Sequence, residues 1–174
     1  MYSLYFRTAD WVARAMAYLG GGVLIVLTVL ACVSIIGRIL IPFGLQPVRG
    51  DYEWIEMGVG FAIFAFLPWC HLMRGHASVD LLQPVYPAVM NRVLDVLIDL
   101  AMLGAALVIT WRLWLGMHDK MRYAETTFIL QFPVWQAYAA GVAGCAAFIY
   151  VAVFCVLRSV RALTGRTGGE AANV

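Results

Sequence analysis

Charge is what this chain has least of. Only 13% of its 174 residues are Asp, Glu, Lys or Arg, where a soluble domain carries about a quarter, so a water-facing surface cannot be built around it. No basic run occurs, and a formal net charge of +2 spread along the chain is not the footprint of a nucleic-acid binder. The four cysteines, Cys32, Cys70, Cys145 and Cys155, lie inside apolar stretches, and no two are spaced Cys-x-x-Cys. That argues against a four-span disulfide-forming enzyme, which needs paired, accessible thiols; they read as small apolar residues. A phosphate-cradling glycine loop, a nucleophile beside a base and a metal-ligand cluster are all missing from the pattern. No catalytic, cofactor-binding or metal-binding residue is therefore expected.

Hydrophobic residues make up 63% of the chain, and they fall into four runs. Ala15 to Gly37 has no charge and is long enough to cross the hydrocarbon, with Arg14 and Arg38 as anchors at its ends. Leu30-Ala31-Cys32 hints at a lipoprotein cleavage site, but the apolar run continues through Val33, Ile35 and Ile36, beyond a secretory h-region. The second span is expected at 52–73, after a turn-rich loop holding Pro42, Gly44, Pro47 and Gly50, with Asp51 as the helix cap and Pro68 as a kink. Glu53 and Glu56 then sit at headgroup level. A third span at 93–117 carries Asp95, Asp99 and Arg112, and a charge at the centre of a span costs about 2.5 to 3.5 kcal/mol on insertion scales. The fourth is expected at 134–157, with Pro133 at its start.

Upstream, Leu4, Tyr5, Thr8, Trp11, Val12 and Ala15 share one helical face while Ser3, Arg7, Asp10 and Arg14 share the other. The expected fold is thus an all-α membrane protein: a single domain over 1–174 of four transmembrane helices, preceded by an interfacial amphipathic helix. A short interfacial segment is expected between Arg74 and Asn91, and residues 159–174 as a flexible cytoplasmic tail. With the N-terminus inside, seven basic residues (Arg7, Arg14, Arg74, Arg92, Arg158, Arg161, Arg166) face the cytoplasm and five (Arg38, Arg49, Arg112, Lys120, Arg122) the other side. The excess favours both termini inside.

Antiparallel spans sort the membrane-edge charges into two levels, each holding both signs. Asp95 and Asp99 are four apart on one helix face and call for a cation, with Arg74 and Arg92 nearest in sequence; coupling to an ion or proton is the alternative. A haem held between histidines fits poorly, because His71 and His76 lie near one end of the spans and His118 near the other. Small residues form stripes (Gly58, Ala62, Ala65; Ala101, Ala105; Ala137, Gly141, Cys145) that let helices approach closely, inside the chain or against another subunit. The tryptophans at 11, 54, 69, 111, 114 and 135 lie mainly near span ends, as interface anchors do.

Three stretches between Gly37 and Tyr138 carry a family resemblance. Gly37-Arg38 closes the first span and is followed by Trp54-Ile55-Glu56; Arg74-Gly75-His76-Ala77-Ser78-Val79-Asp80 follows the second; Glu125-Thr126-Thr127 and Leu130-Gln131-Phe132-Pro133-Val134-Trp135 open the fourth. In order and spacing these resemble the DctQ-like small membrane subunit of TRAP (tripartite ATP-independent periplasmic) transporters. Phe132 stands where that pattern favours isoleucine. The resemblance implies a scaffold in the bacterial inner membrane with no transport site of its own. Its partners would be a large membrane subunit, which takes up a carboxylate-bearing solute with a sodium gradient, and a periplasmic solute-binding protein, besides membrane lipid. Loops Leu45 to Asp51 and Lys120 to Thr127 would face the periplasm. A self-sufficient small homo-oligomeric transporter or channel is the rival, but it has few polar residues at mid-membrane depth besides Thr28, Ser34 and Thr110.

Overall fold

A computed structural model of the chain describes residues 2–73 and 88–163. Arg74, His76, Asp80, most of the segment expected to lie in the interface, and the tail beyond 163 fall outside them. So does the side chain of Arg92.

Four helices account for nearly all the described residues: α1 (Tyr2–Ile39), α2 (Asp51–Leu72), α3 (Ala88–Arg122) and α4 (Trp135–Leu163), with a 3-10 turn at Ile41–Phe43. Each contains a stretch long and apolar enough to cross a membrane. At 35 residues α3 is roughly 52 Å long against roughly 30 Å of hydrocarbon. It therefore exceeds what the hydrocarbon needs, and its final turn carries Asp119, Lys120 and Arg122. α2 runs unbroken through Pro68, which is fully buried.

Successive helices alternate in direction, so one end of the bundle holds the start of α1 and the end of α4, and the other holds the 3-10 turn and the connection from α3 to α4. α1 packs along α2, α2 along α4, and α4 along α3, while α1 also touches α4. Small residues set these approaches, since without a hydrophobic driving force in lipid, association rests on close packing. A Cβ on Gly144 of α4 would lie 2.9 Å from Phe64 Cβ and 3.2 Å from the Phe64 carbonyl carbon. The obstacle is partly backbone and cannot swing away. Gly144→Ala should lower stability by about 1 to 3 kcal/mol, readable as an earlier melting transition in detergent.

The amphipathic N-terminal segment is helical and continuous with the first span, not a separate element. Ala9 and Ala13, spaced one helical turn apart, are fully buried against Leu72, Val151, Phe154 and Cys155, with Trp69 alongside. Arg14 lies 5.5 Å over the Trp69 ring and bonds Asp10, and the Thr8 hydroxyl is 2.9 Å from that of Tyr150. Tyr5 and Trp11, on the apolar face read from the sequence, point outward. α4 likewise continues through Leu163, into the stretch expected to be a tail, because Ser159 is buried in the bundle.

Candidate functional site

Polar chemistry gathers at the two ends of the bundle. At the end where α1 starts and α4 finishes, Asp99 of α3 is 4% exposed. Its Oδ2 accepts a 2.5 Å hydrogen bond from the Ser159 hydroxyl of α4, and its Oδ1 lies 3.7 Å from His71 Nε2 of α2. His71 is itself buried, edge-on to Phe148 at 5.7 Å. One carboxylate thus ties three helices together. Its described partners are a histidine and a serine; the side chains of Arg74 and Arg92, the cations expected beside it, lie outside the described residues. A buried charge is tolerated when neighbouring groups satisfy its lone pairs, and short side chains on facing helices reach it without crossing lipid. Asp95, one turn earlier, is half-buried.

At the opposite end, Gly50 occupies the N-cap of α2 with φ +73°, a conformation that favours glycine, and a Cβ there would also strike Leu130 at 2.6 Å. Asp51 is consequently the first helical residue and not the cap the sequence suggested. Its Oδ2 accepts the Ser34 hydroxyl at 2.5 Å and lies 3.8 Å from Arg38, while its Oδ1 accepts the Tyr52 N–H. Ser34 and Arg38 are four apart on α1, so both face the start of α2.

Glu53, half-buried two residues further along α2, accepts two backbone N–H groups from the distant connection: Ile129 N–H at 2.7 Å and Leu130 N–H at 3.0 Å. That connection folds as a small hairpin. Thr127 N–H bonds the Phe132 carbonyl at 2.9 Å, Val134 N–H bonds the Glu125 carbonyl at 3.1 Å, and Thr126 bridges to Pro133. Lys120 Nζ donates to Glu125 at 2.5 Å, joining the hairpin's base to the last turn of α3. Trp54 packs on Phe132 with centroids 6.1 Å apart, and Trp135 opens α4 half-buried. The tip carries Phe128, 97% exposed, and Ile129, 60% exposed. Phe43 of the 3-10 turn is exposed as well.

The residues singled out from the sequence therefore divide. Arg38, Glu53, Asp99 and Glu125 are drawn into specific contacts, and Trp135 holds the start of α4. Glu56 and Arg112 are exposed and make no hydrogen bond or ion pair among the described residues. Ser34, His71, Ser159 and the Leu130 backbone were missed. The spacing of Ser34 and Arg38 could have flagged the first; nothing in the sequence pointed to the others.

Such an arrangement defines a multi-pass membrane protein whose polar groups fasten its own helices and brace an exposed hairpin. The family model of the DctQ component of tripartite ATP-independent periplasmic transporters matches residues 27–165, and the chain belongs to that family. No curated protein and no solved structure matches it. The match covers Gly37 to Trp135, the stretch in which the motifs of the resemblance lie.

Proposed function

We propose that this chain is the scaffold subunit of a transporter that takes up a carboxylate-bearing solute with sodium, standing beside a large membrane subunit and receiving a periplasmic binding protein. Both termini are cytoplasmic and the hairpin is periplasmic in this reading, in line with the excess of basic residues on the termini side. The observation that carries it is the braced hairpin. A scaffold needs a rigid feature that stands out of the membrane, and here two charge-assisted hydrogen bonds, donated by the Ile129 and Leu130 N–H groups to Glu53, brace a hairpin whose tip holds Phe128 and Ile129 outward. An exposed apolar tip on a fixed frame marks an interaction site.

Phe128 and Ile129 are the anchors expected against the binding protein, with Lys120 and Glu125 as the polar base. Liposomes holding this chain and its large subunit should import solute only when the binding protein is added outside. Phe128→Asp should lower that uptake by about tenfold or more through lost docking, an effect of the size seen when an interface anchor is removed. Uptake by this chain alone would refute the scaffold reading. Labelling of a cysteine placed at Phe128 from the cytoplasmic side only would overturn the topology.

A further inference from the structure

The four helices do not close on themselves. α3 packs along α4, yet among the described residues α2 and α3 make no extended contact, and Asp99 of α3 approaches His71 of α2. Toward the hairpin end the gap between them becomes a groove floored by α4, about 230 Å³ in volume. It is lined by Glu56, Gly60 and Phe64 of α2, Leu113 of α3, and Tyr138 and Gly141 of α4.

Three features of the groove decide what fits it. Its volume falls below the roughly 300 to 1,000 Å³ of a small-molecule site, but it accepts a few side chains of a neighbouring helix. Gly60 leaves a notch: a Cβ there would meet nothing within 4 Å. Finally, Glu56 stands at the rim, exposed and without a hydrogen bond or ion pair among the described residues. A carboxylate facing the lipid region is costly unless a cation meets it. Arg112 does not line the groove, so the chain's own nearby cation does not serve. A second groove over α1, α2 and α4 is lined by no charged residue and would not fix a partner in this way.

We infer that the α2–α3 groove seats a transmembrane helix of the large membrane subunit, one carrying a lysine or arginine near its hairpin-side end to pair with Glu56. The inference rests on the scaffold reading above and adds the face and the chemistry of the contact. The partner helix completes the bundle where α2 and α3 diverge, its side chains filling the Gly60 notch.

The test is copurification of the tagged full-length chain with its large subunit from membranes, comparing wild type with Gly60→Phe, Glu56→Lys and Gly104→Phe. Gly104 is also open to a Cβ but lies on the exposed side of α3, so it supplies the same bulk elsewhere. Wild type and Gly104→Phe should retain the large subunit. Gly60→Phe and Glu56→Lys should lose it by about tenfold or more, from blocked packing and like-charge repulsion. A photoactivatable amino acid in place of Gly60 should form its adduct with the large subunit, which decides the matter even if Gly60→Phe folds poorly. Full retention by both groove variants, equal loss in Gly104→Phe, or adducts with lipid only would overturn the assignment of this face. Failure of the wild-type chain to retain the large subunit would instead overturn the scaffold reading itself, and the face with it.

Discussion

Asp99→Leu should destabilise the chain in detergent by about 3 kcal/mol, whereas Asp99→Asn should cost less than about 1 kcal/mol. The difference follows from what each variant leaves behind. Asparagine keeps an oxygen that can accept the Ser159 hydroxyl and adds an amide toward His71, so both buried neighbours retain a partner. Leucine removes the acceptor that the geometry supplies to them. The buried hydroxyl and imidazole then carry desolvation without that compensation, which makes losing one member of a buried polar cluster costlier than losing all of it. A double-mutant cycle between Asp99→Leu and Ser159→Ala should therefore show coupling of about 1 to 2 kcal/mol, because the hydroxyl has less to lose once the carboxylate is gone. Equal melting temperatures for the leucine and asparagine variants would sink this account.

The same pair separates a structural role from an ion-coupling one. If Asp99 fastens α2, α3 and α4, Asp99→Asn should leave uptake by the assembled transporter close to wild type. Were the carboxylate a sodium or proton site, its neutral isostere would stop uptake in a fully stable, fully assembled complex. Fastening is the outcome expected, since the Ser159 hydroxyl and His71 Nε2 each lie against one carboxylate oxygen of Asp99.

How much of this was legible in the sequence depends on whether the signal was local. The four helices were, because Ala15 to Gly37 and its counterparts are each long enough to span the hydrocarbon, and run length is read without knowing the fold. The charged residues were found, but their partners were not. Asp99 called for a counter-charge, with Arg74 and Arg92 nearest in sequence, and both of those side chains lie outside the described residues. The described residues add Ser159, sixty positions away, and His71, and neither residue type announces a pairing. Glu53 was expected at headgroup level, but its two partners on the distant connection were not legible, since backbone N–H groups leave no mark in the sequence. The N-terminal segment misled differently. Its amphipathic pattern correctly placed Tyr5 and Trp11 on an outward face, but Ala9 and Ala13 are too small to register as an apolar stripe, and they are what holds the segment against α2 and α4.

Glu53→Ala is expected to speed hydrogen exchange at the Ile129 and Leu130 amides by about tenfold or more while leaving the α2 amides unchanged. Both N–H groups donate to the same carboxylate, one to each oxygen, so a single substitution removes both tethers across the gap between α2 and the hairpin. The internal bonds of the hairpin, Thr127 to Phe132 and Glu125 to Val134, do not involve Glu53 and should persist. The hairpin would then survive as a local fold that has lost its fixed angle to the bundle, with Leu130 free to lift from Gly50. Binding through a rigid tip avoids the ordering penalty that a mobile one pays at each encounter. Glu53→Ala should accordingly weaken engagement of the binding protein although Phe128 and Ile129 are untouched, whereas Glu125→Ala, which frees only the Lys120 tie at the base, should do so less. Unchanged exchange at both amides in Glu53→Ala would mean that the hairpin is held by Leu130 and Phe132 packing alone, and the bracing role of Glu53 would fall.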